Sequence, residues 1–135
     1  MIIVLDTNVL ISGLLKGNSN PGTIVNLVAT GRIKVAFDLR IINEYRLVLL
    51  RAKFDFHKRD VEALLKQVEN EGIFVAAAPL NVNFPDEGDK PFLEVAAAQE
   101  GAVLVTGNKK HFPTELITGL AIMNPAEFVK YISRP

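Results

Sequence analysis

The chain has 135 residues, 49% of them hydrophobic and 22% charged, and it contains no cysteine. That composition suits one packed domain over residues 1–135 and excludes a disordered chain, a disulfide scaffold and a thiolate metal site. Fifteen basic residues balance fifteen acidic ones, which argues against a protein that grips long duplexes by charge alone.

Ile2–Leu5 is a continuous apolar run closed by Asp6, the pattern of a strand buried on both faces. The run is too short for a signal peptide, and no later one reaches membrane-spanning length, so no membrane association is expected. A chain without cysteine is also compatible with a reducing cytoplasm, the expected location. Asp6, Thr7 and Asn8 offer helix-capping side chains before a short helix, Val9–Leu15. Gly17–Gly22 reads as a loop because Asn, Ser, Pro and Gly crowd it. A helix over Thr23–Thr30 stops at Gly31. Lys34–Phe37 forms a second strand, and Asp38 caps a long helix reaching Ala52.

A further helix covers Lys58–Glu71 and ends at Gly72. Ile73–Ala76 gives a third strand, and Ala78–Glu87, with two prolines, a loop. A helix over Asp89–Glu100 ends at Gly101. Ala102–Val105 is a fourth strand, Thr106–Pro113 a polar, basic loop, Leu120–Met123 a fifth strand and Pro125–Ile132 a closing helix with Pro in its first turn. Strands alternating with helices predict an α/β fold: a parallel sheet covered by helices on both faces, with right-handed crossovers. In such sheets, ligands bind where strands end at their carboxyl edge.

Charge is segregated along this order. Residues 30–66 hold nine Lys/Arg against five Asp/Glu, whereas residues 67–100 hold one against seven. A basic rim beside an acidic pocket is one reading, and solvated helix faces are the plainer one.

Three acids fall where the topology brings residues to the carboxyl edge. Asp6 follows the first strand directly. Glu44 borders the apolar stripe Ile41, Ile42, Tyr45, Val48, Leu49 and Ala52 of its helix. Asp89 begins a helix and shares a face with Phe92, Leu93 and Ala96. Helix capping competes for Asp6 and Asp89, and a solvated border position competes for Glu44. Asp86, Glu87 and Asp89 lie within four residues, an arrangement that repels itself unless a cation offsets it. The chemistry that needs such a set is metal-assisted phosphodiester hydrolysis. Mg²⁺ takes oxygen ligands, and metal-activated water dispenses with a protein nucleophile or a histidine base. His57, in a helix linker, and His111, in the loop after the fourth strand, accordingly read as surface or packing residues.

The segments Ile3–Ser12, Asp86–Leu93 and Leu104–Asn108 together resemble the PIN-domain nucleases, most closely the bacterial and archaeal group described as toxin components of toxin–antitoxin pairs. The resemblance spans essentially the whole chain, and the three motifs in this order are more specific than the opening one alone. It implies a three-layer α/β/α domain, Mg²⁺ or Mn²⁺, and cleavage of single-stranded RNA by water. Carried over, the family's acids fall on Asp6, Glu44 and Asp89. A fourth, common after a Thr-Gly pair, is Asn108 here, which offers a carbonyl oxygen without charge and puts a strongly held second metal in doubt. Asp86 is a weaker candidate ligand. Asn8 and Thr106 are expected to orient carboxylates or metal waters, and Lys90, Lys109 and Lys110 to hold substrate phosphate. The resemblance further suggests an antitoxin partner and a homodimer, for which Leu47 and Leu50, opposite the core stripe, are candidate contacts.

Other classes explain the acids less well. No Gly-rich dinucleotide turn follows the first strand, and there is no P-loop. A phosphoacceptor receiver needs an acid after its third strand, where this chain has Ala76-Ala77-Ala78-Pro79. The remaining rival is a PIN-like module that binds RNA or protein without cutting.

Overall fold

The computed structural model describes residues 1–81, 83–112 and 119–134. Pro113 of the expected basic loop, and Val82 of the expected loop before Asp86, lie outside them. The strands are β1 (Ile2–Leu5), β2 (Lys34–Phe37), β3 (Ile73–Phe74), β4 (Val103–Val105) and β5 (Ala121–Met123). The helices are α1 (Thr7–Leu15), α2 (Asn20–Ala29), α3 (Leu39–Leu49), α4 (Lys58–Glu71), α5 (Lys90–Ala98) and α6 (Pro125–Ile132).

The strands form one parallel sheet in the order β3-β2-β1-β4-β5, flanked by helices. This is the expected α/β fold. β1 lies at the centre of the sheet, where an apolar strand is covered on both faces. Ile3, Val4 and Leu5 are buried, as are Val103, Leu104 and Val105 of its neighbour β4. The chain leaves β1 toward β2 on one side and returns to pair β4 on the other. The break in strand order therefore lies between β1 and β4, with Asp6 and Thr106 following those two strands. Open sheets bind ligands at such a switch point.

Several boundaries differ from the sequence reading, each for a local reason. The segment expected as a loop before Thr23 already contains the first turn of α2. The Ser19 hydroxyl accepts from the Gly22 N–H at 3.1 Å, and Pro21 occupies the first turn, so the residues that looked like loop formers are a cap and an N-terminal proline. α3 ends at Leu49, not Ala52. The chain passes into a tight helical turn over Ala52–Phe54 and then a left-handed Asp55, where Phe54 and Phe56 stack at 5.7 Å and pack against the core. Leu50 is consequently half-buried against the core rather than presented outward. β3 is short, although the Val75 N–H still donates to the Phe37 carbonyl at 2.8 Å. Beyond it the chain is drawn to α5, where buried Glu94 accepts from the Leu80 N–H at 2.7 Å and from Arg40 at 2.7 Å.

One buried side chain ties together the elements that carry the three acids. Tyr45, beside Glu44 on α3, donates its hydroxyl to the Leu5 carbonyl at the end of β1. Its ring lies 6.4 Å from that of Phe92, one turn into α5. A buried phenol must find such an acceptor. This contact holds the carboxyl end of β1 and the adjoining helices in register.

Candidate active site

Asp6 is 5% exposed and stands in the capping position of α1. Its side chain makes no capping hydrogen bond. Instead Oδ2 accepts from the Thr106 hydroxyl at 2.7 Å, and the Thr106 oxygen in turn accepts from the Asn108 N–H at 3.0 Å. The Asp6 N–H donates to the Val105 carbonyl at 3.0 Å, and the Thr106 N–H to the Met123 carbonyl at 3.0 Å. Pairing therefore continues one residue past β1 and β4 and carries both side chains to the same edge. Thr106 thus holds the Asp6 carboxylate through its hydroxyl.

Glu44 is half-buried, and its Oε2 accepts from the hydroxyl of buried Thr7. The sequence reading treated Thr7 only as a capping residue. One carboxylate is thus oriented by Thr106 and the other by Thr7, on either side of Asp6. The Asn8 side chain, expected to share this work, is exposed and makes no hydrogen bond among the described residues. Its backbone N–H, with that of Thr7, lies beside the Asp6 carboxylate and favours its charge.

Asp89 closes a short helical turn, Glu87–Asp89, just before α5, and it too makes no capping bond. Its Oδ2 is shielded from solvent and has no hydrogen-bond partner among the described residues. The one basic side chain within 4 Å among the described residues is His111, whose Nδ1 lies 3.5 Å from that oxygen. That is an electrostatic approach rather than a hydrogen bond of good geometry. His111 is an exposed residue, as expected, and it also stands beside an acid of the cluster. The turn Lys109–His111 after Asn108 brings it beside Asp89. His57, by contrast, is an exposed residue at the start of α4.

The acids lie within one another's fields. Burial raises the pKa of Asp6, opposed by the Thr106 hydrogen bond and by His111. Burial raises Glu44 as well; the Thr7 bond opposes this, and the charges of Asp6 and Asp86 add to it. Asp89 is pushed up to about 6, by burial first and then by Asp6 and Asp86, with His111 opposing and Glu44 adding. Carboxyl groups that resist ionisation together mark a site awaiting positive charge. Asp86 contributes to the field, but its Oδ1 is occupied by the Gly88 N–H at 2.8 Å.

The donor set is oxygen-rich and anionic, as a hard divalent ion requires, and the unpartnered Asp89 oxygen is the group such an ion would satisfy. No three acidic or histidine side chains among the described residues are drawn together tightly enough to make a finished cage. The expected lysines are placed differently from one another. Lys109 pairs with Glu127 of α6 at 3.0 Å, Lys90 lies 3.9 Å from Glu87, and Lys110 is exposed without an ion pair among the described residues. Asn108 is exposed, and its backbone rather than its carbonyl side chain serves the network. A separate cavity of about 280 Å³, lined by Leu14, Asp55, Phe56 and Asp60 among others, contains none of Asp6, Glu44 and Asp89.

A parallel α/β sheet with carboxylates gathered at its switch point defines a class of protein whose ligand site lies at the strand ends. Comparison with known proteins makes the assignment specific. The PIN-domain family pattern matches residues 2–110, and the chain belongs to the PIN-domain family, whose members are generally nucleases. An uncharacterised protein of Methanocaldococcus jannaschii is 30% identical over 110 residues, covering 79% of this chain and 70% of that protein. The crystal structure of VapBC2 from Rickettsia felis bound to a DNA fragment from their promoter contains a chain of the same fold. It superposes with a TM-score of 0.56 at 19% identity, covering 92% of this chain and 98% of that one. Among the described residues, no helix is long and apolar enough to cross a membrane.

Proposed function

We propose that this chain is a divalent-metal-dependent endoribonuclease that cleaves single-stranded RNA, acting as the toxin of a toxin–antitoxin pair. The observation that carries the reading is the presence of Asp6, Glu44 and Asp89 at one sheet edge within one another's fields, each with its pKa raised, together with a shielded Asp89 oxygen that lacks a partner among the described residues. A bound Mg²⁺ or Mn²⁺ supplies an activated water and neutralises phosphate charge. The protein's own part is to hold the carboxylates ready: Thr106 fixes Asp6, and Thr7 fixes Glu44. Lys110 and Lys90 stand nearest the role of phosphate contacts, while Lys109 must first leave Glu127. Likeness to a chain of VapBC2 supports a protein partner, the antitoxin. Leu47 and Leu39 of α3, 70% and 67% exposed, support a homodimer contact in place of Leu50.

Cleavage of labelled single-stranded RNA by purified protein tests this, with Mn²⁺ or Mg²⁺ against chelator. Asp6→Asn and Asp89→Asn are expected to lower the rate by at least about a hundredfold, a loss of roughly 2.7 kcal/mol of transition-state stabilisation. RNA left intact by the parent protein, with Mn²⁺ bound no better than by the variants, would sink the enzyme reading. It would leave the second one, a binding module that no longer cuts, which the uncharged Asn108 favours.

A further inference from the structure

His111 is a titratable side chain beside the acid cluster to which no part of the nuclease reading gives a task. Its Nδ1 stands 3.5 Å from Asp89 Oδ2, the oxygen without a hydrogen-bond partner among the described residues. At that distance the imidazole does not satisfy the carboxylate as a hydrogen-bond donor. Two ligands at about 2.0–2.2 Å from one ion stand roughly 3–3.5 Å apart, so the observed separation is that of neighbouring ligands. His111 also acts electrostatically on Asp6 from its place beside Asp89. It is carried there by the turn Lys109–His111, directly after Asn108, where the family's fourth acid is missing.

We infer that His111 is a metal ligand of this chain, its Nδ1 joining Asp89 and Asp6 in a mixed nitrogen and oxygen set and taking the place left by the uncharged Asn108. The inference rests on the metal site of the proposed nuclease. Its chemical consequence is a changed metal preference. Imidazole nitrogen favours transition ions, whereas Mg²⁺ favours carboxylate, carbonyl and water oxygens. The site therefore selects Mn²⁺ and its heavier neighbours over Mg²⁺ more strongly than an all-carboxylate site does.

The test is binding, independent of cleavage. Mn²⁺ and Mg²⁺ are titrated calorimetrically into the parent, His111→Ala and Asp89→Asn proteins at pH 7.5, and the Mn²⁺-loaded parent is examined by pulsed electron paramagnetic resonance. The expected result is nitrogen coupling to Mn²⁺ in the parent that His111→Ala abolishes. Mn²⁺ affinity is expected to fall by about tenfold or more in that variant, with Mg²⁺ affinity reduced less than about threefold. The spectrum of the parent alone decides the matter if the variant folds poorly. Mn²⁺ bound in the parent and lost in Asp89→Asn, but without nitrogen coupling, overturns the role of His111 and leaves the metal site standing. A parent that binds neither ion overturns both.

Discussion

At the scale of single residues, Asp89 is where burial and repulsion have most effect. Its folded pKa of about 6 lies above an unfolded value near ~4. For an acid shifted upward, the stabilising contribution is complete below about pH 4 and is lost as pH rises through about 6. The metal-free protein is therefore expected to melt at lower temperature at pH 7 than at pH 5, as far as this group decides it. Asp89→Asn removes the loss. With 16% of the Asp89 side chain exposed, solvent screens part of the effect, and a gain of about 1 kcal/mol, or ~3 °C, is expected at pH 7.5 without metal. Thermal melts of the two proteins at both pH values check this, and a variant that melts lower at pH 7.5 contradicts it. Thr106→Val makes a complementary case. It leaves the fold's volume intact but frees Asp6 Oδ2, and Mn²⁺ affinity is expected to drop by about tenfold or more, read by calorimetry. Asp6, Glu44 and Asp89 could be proposed from the sequence because strand ends and stripe borders can be counted and because the PIN-domain motifs fall on them. Thr7 and His111 could not. Their partners, Glu44 and Asp89, lie far along the chain, and neither residue type distinguishes a capping or surface role from one at the site.

At the scale of elements, the central contact is Tyr45, which links α3, β1 and α5. Tyr45→Phe keeps the ring against Phe92 but leaves the Leu5 carbonyl without that donor. A loss of about 1–2 kcal/mol is expected, together with a lower cleavage rate, because the three acids ride on those elements. Denaturant melts and RNA cleavage read the two effects. An unchanged rate with lowered stability shows that the contact serves the fold alone. Gly22 makes a second case. A Cβ there would stand 2.3 Å from the Gly17 carbonyl oxygen, which belongs to backbone. Gly22→Ala is expected to cost about 1–3 kcal/mol, while alanine at Gly107, where a Cβ meets nothing within 4 Å, costs far less. Most elements were legible, and α4 and α6 to the residue, because helical periodicity and their Gly and Pro boundaries agree. α2 was misread where capping chemistry resembles loop composition. The end of α3 was misread because the aromatic pair Phe54 and Phe56, not a helix-stopping residue, turns the chain.

At the scale of the whole molecule, the fold follows from a short central strand flanked by alternating helices, and the order β3-β2-β1-β4-β5 followed from the alternation only in outline. Strand order depends on which edge each helix crosses, and the side chains of any one segment do not encode it. The dimer proposal belongs here. Leu47→Glu places charge on an exposed position of α3 and is expected to shift a dimeric parent to monomer in light scattering, with little change in melting temperature. A parent that is monomeric at micromolar concentration contradicts the dimer. The account as a whole depends on one place, the carboxyl edge between β1 and β4. A crystal of the parent protein soaked in Mn²⁺ and measured at the manganese absorption edge tests it most directly. The expected result is an anomalous peak within bonding distance of Asp6 and Asp89 carboxylate oxygens. Manganese bound elsewhere on the surface, or nowhere, would contradict it.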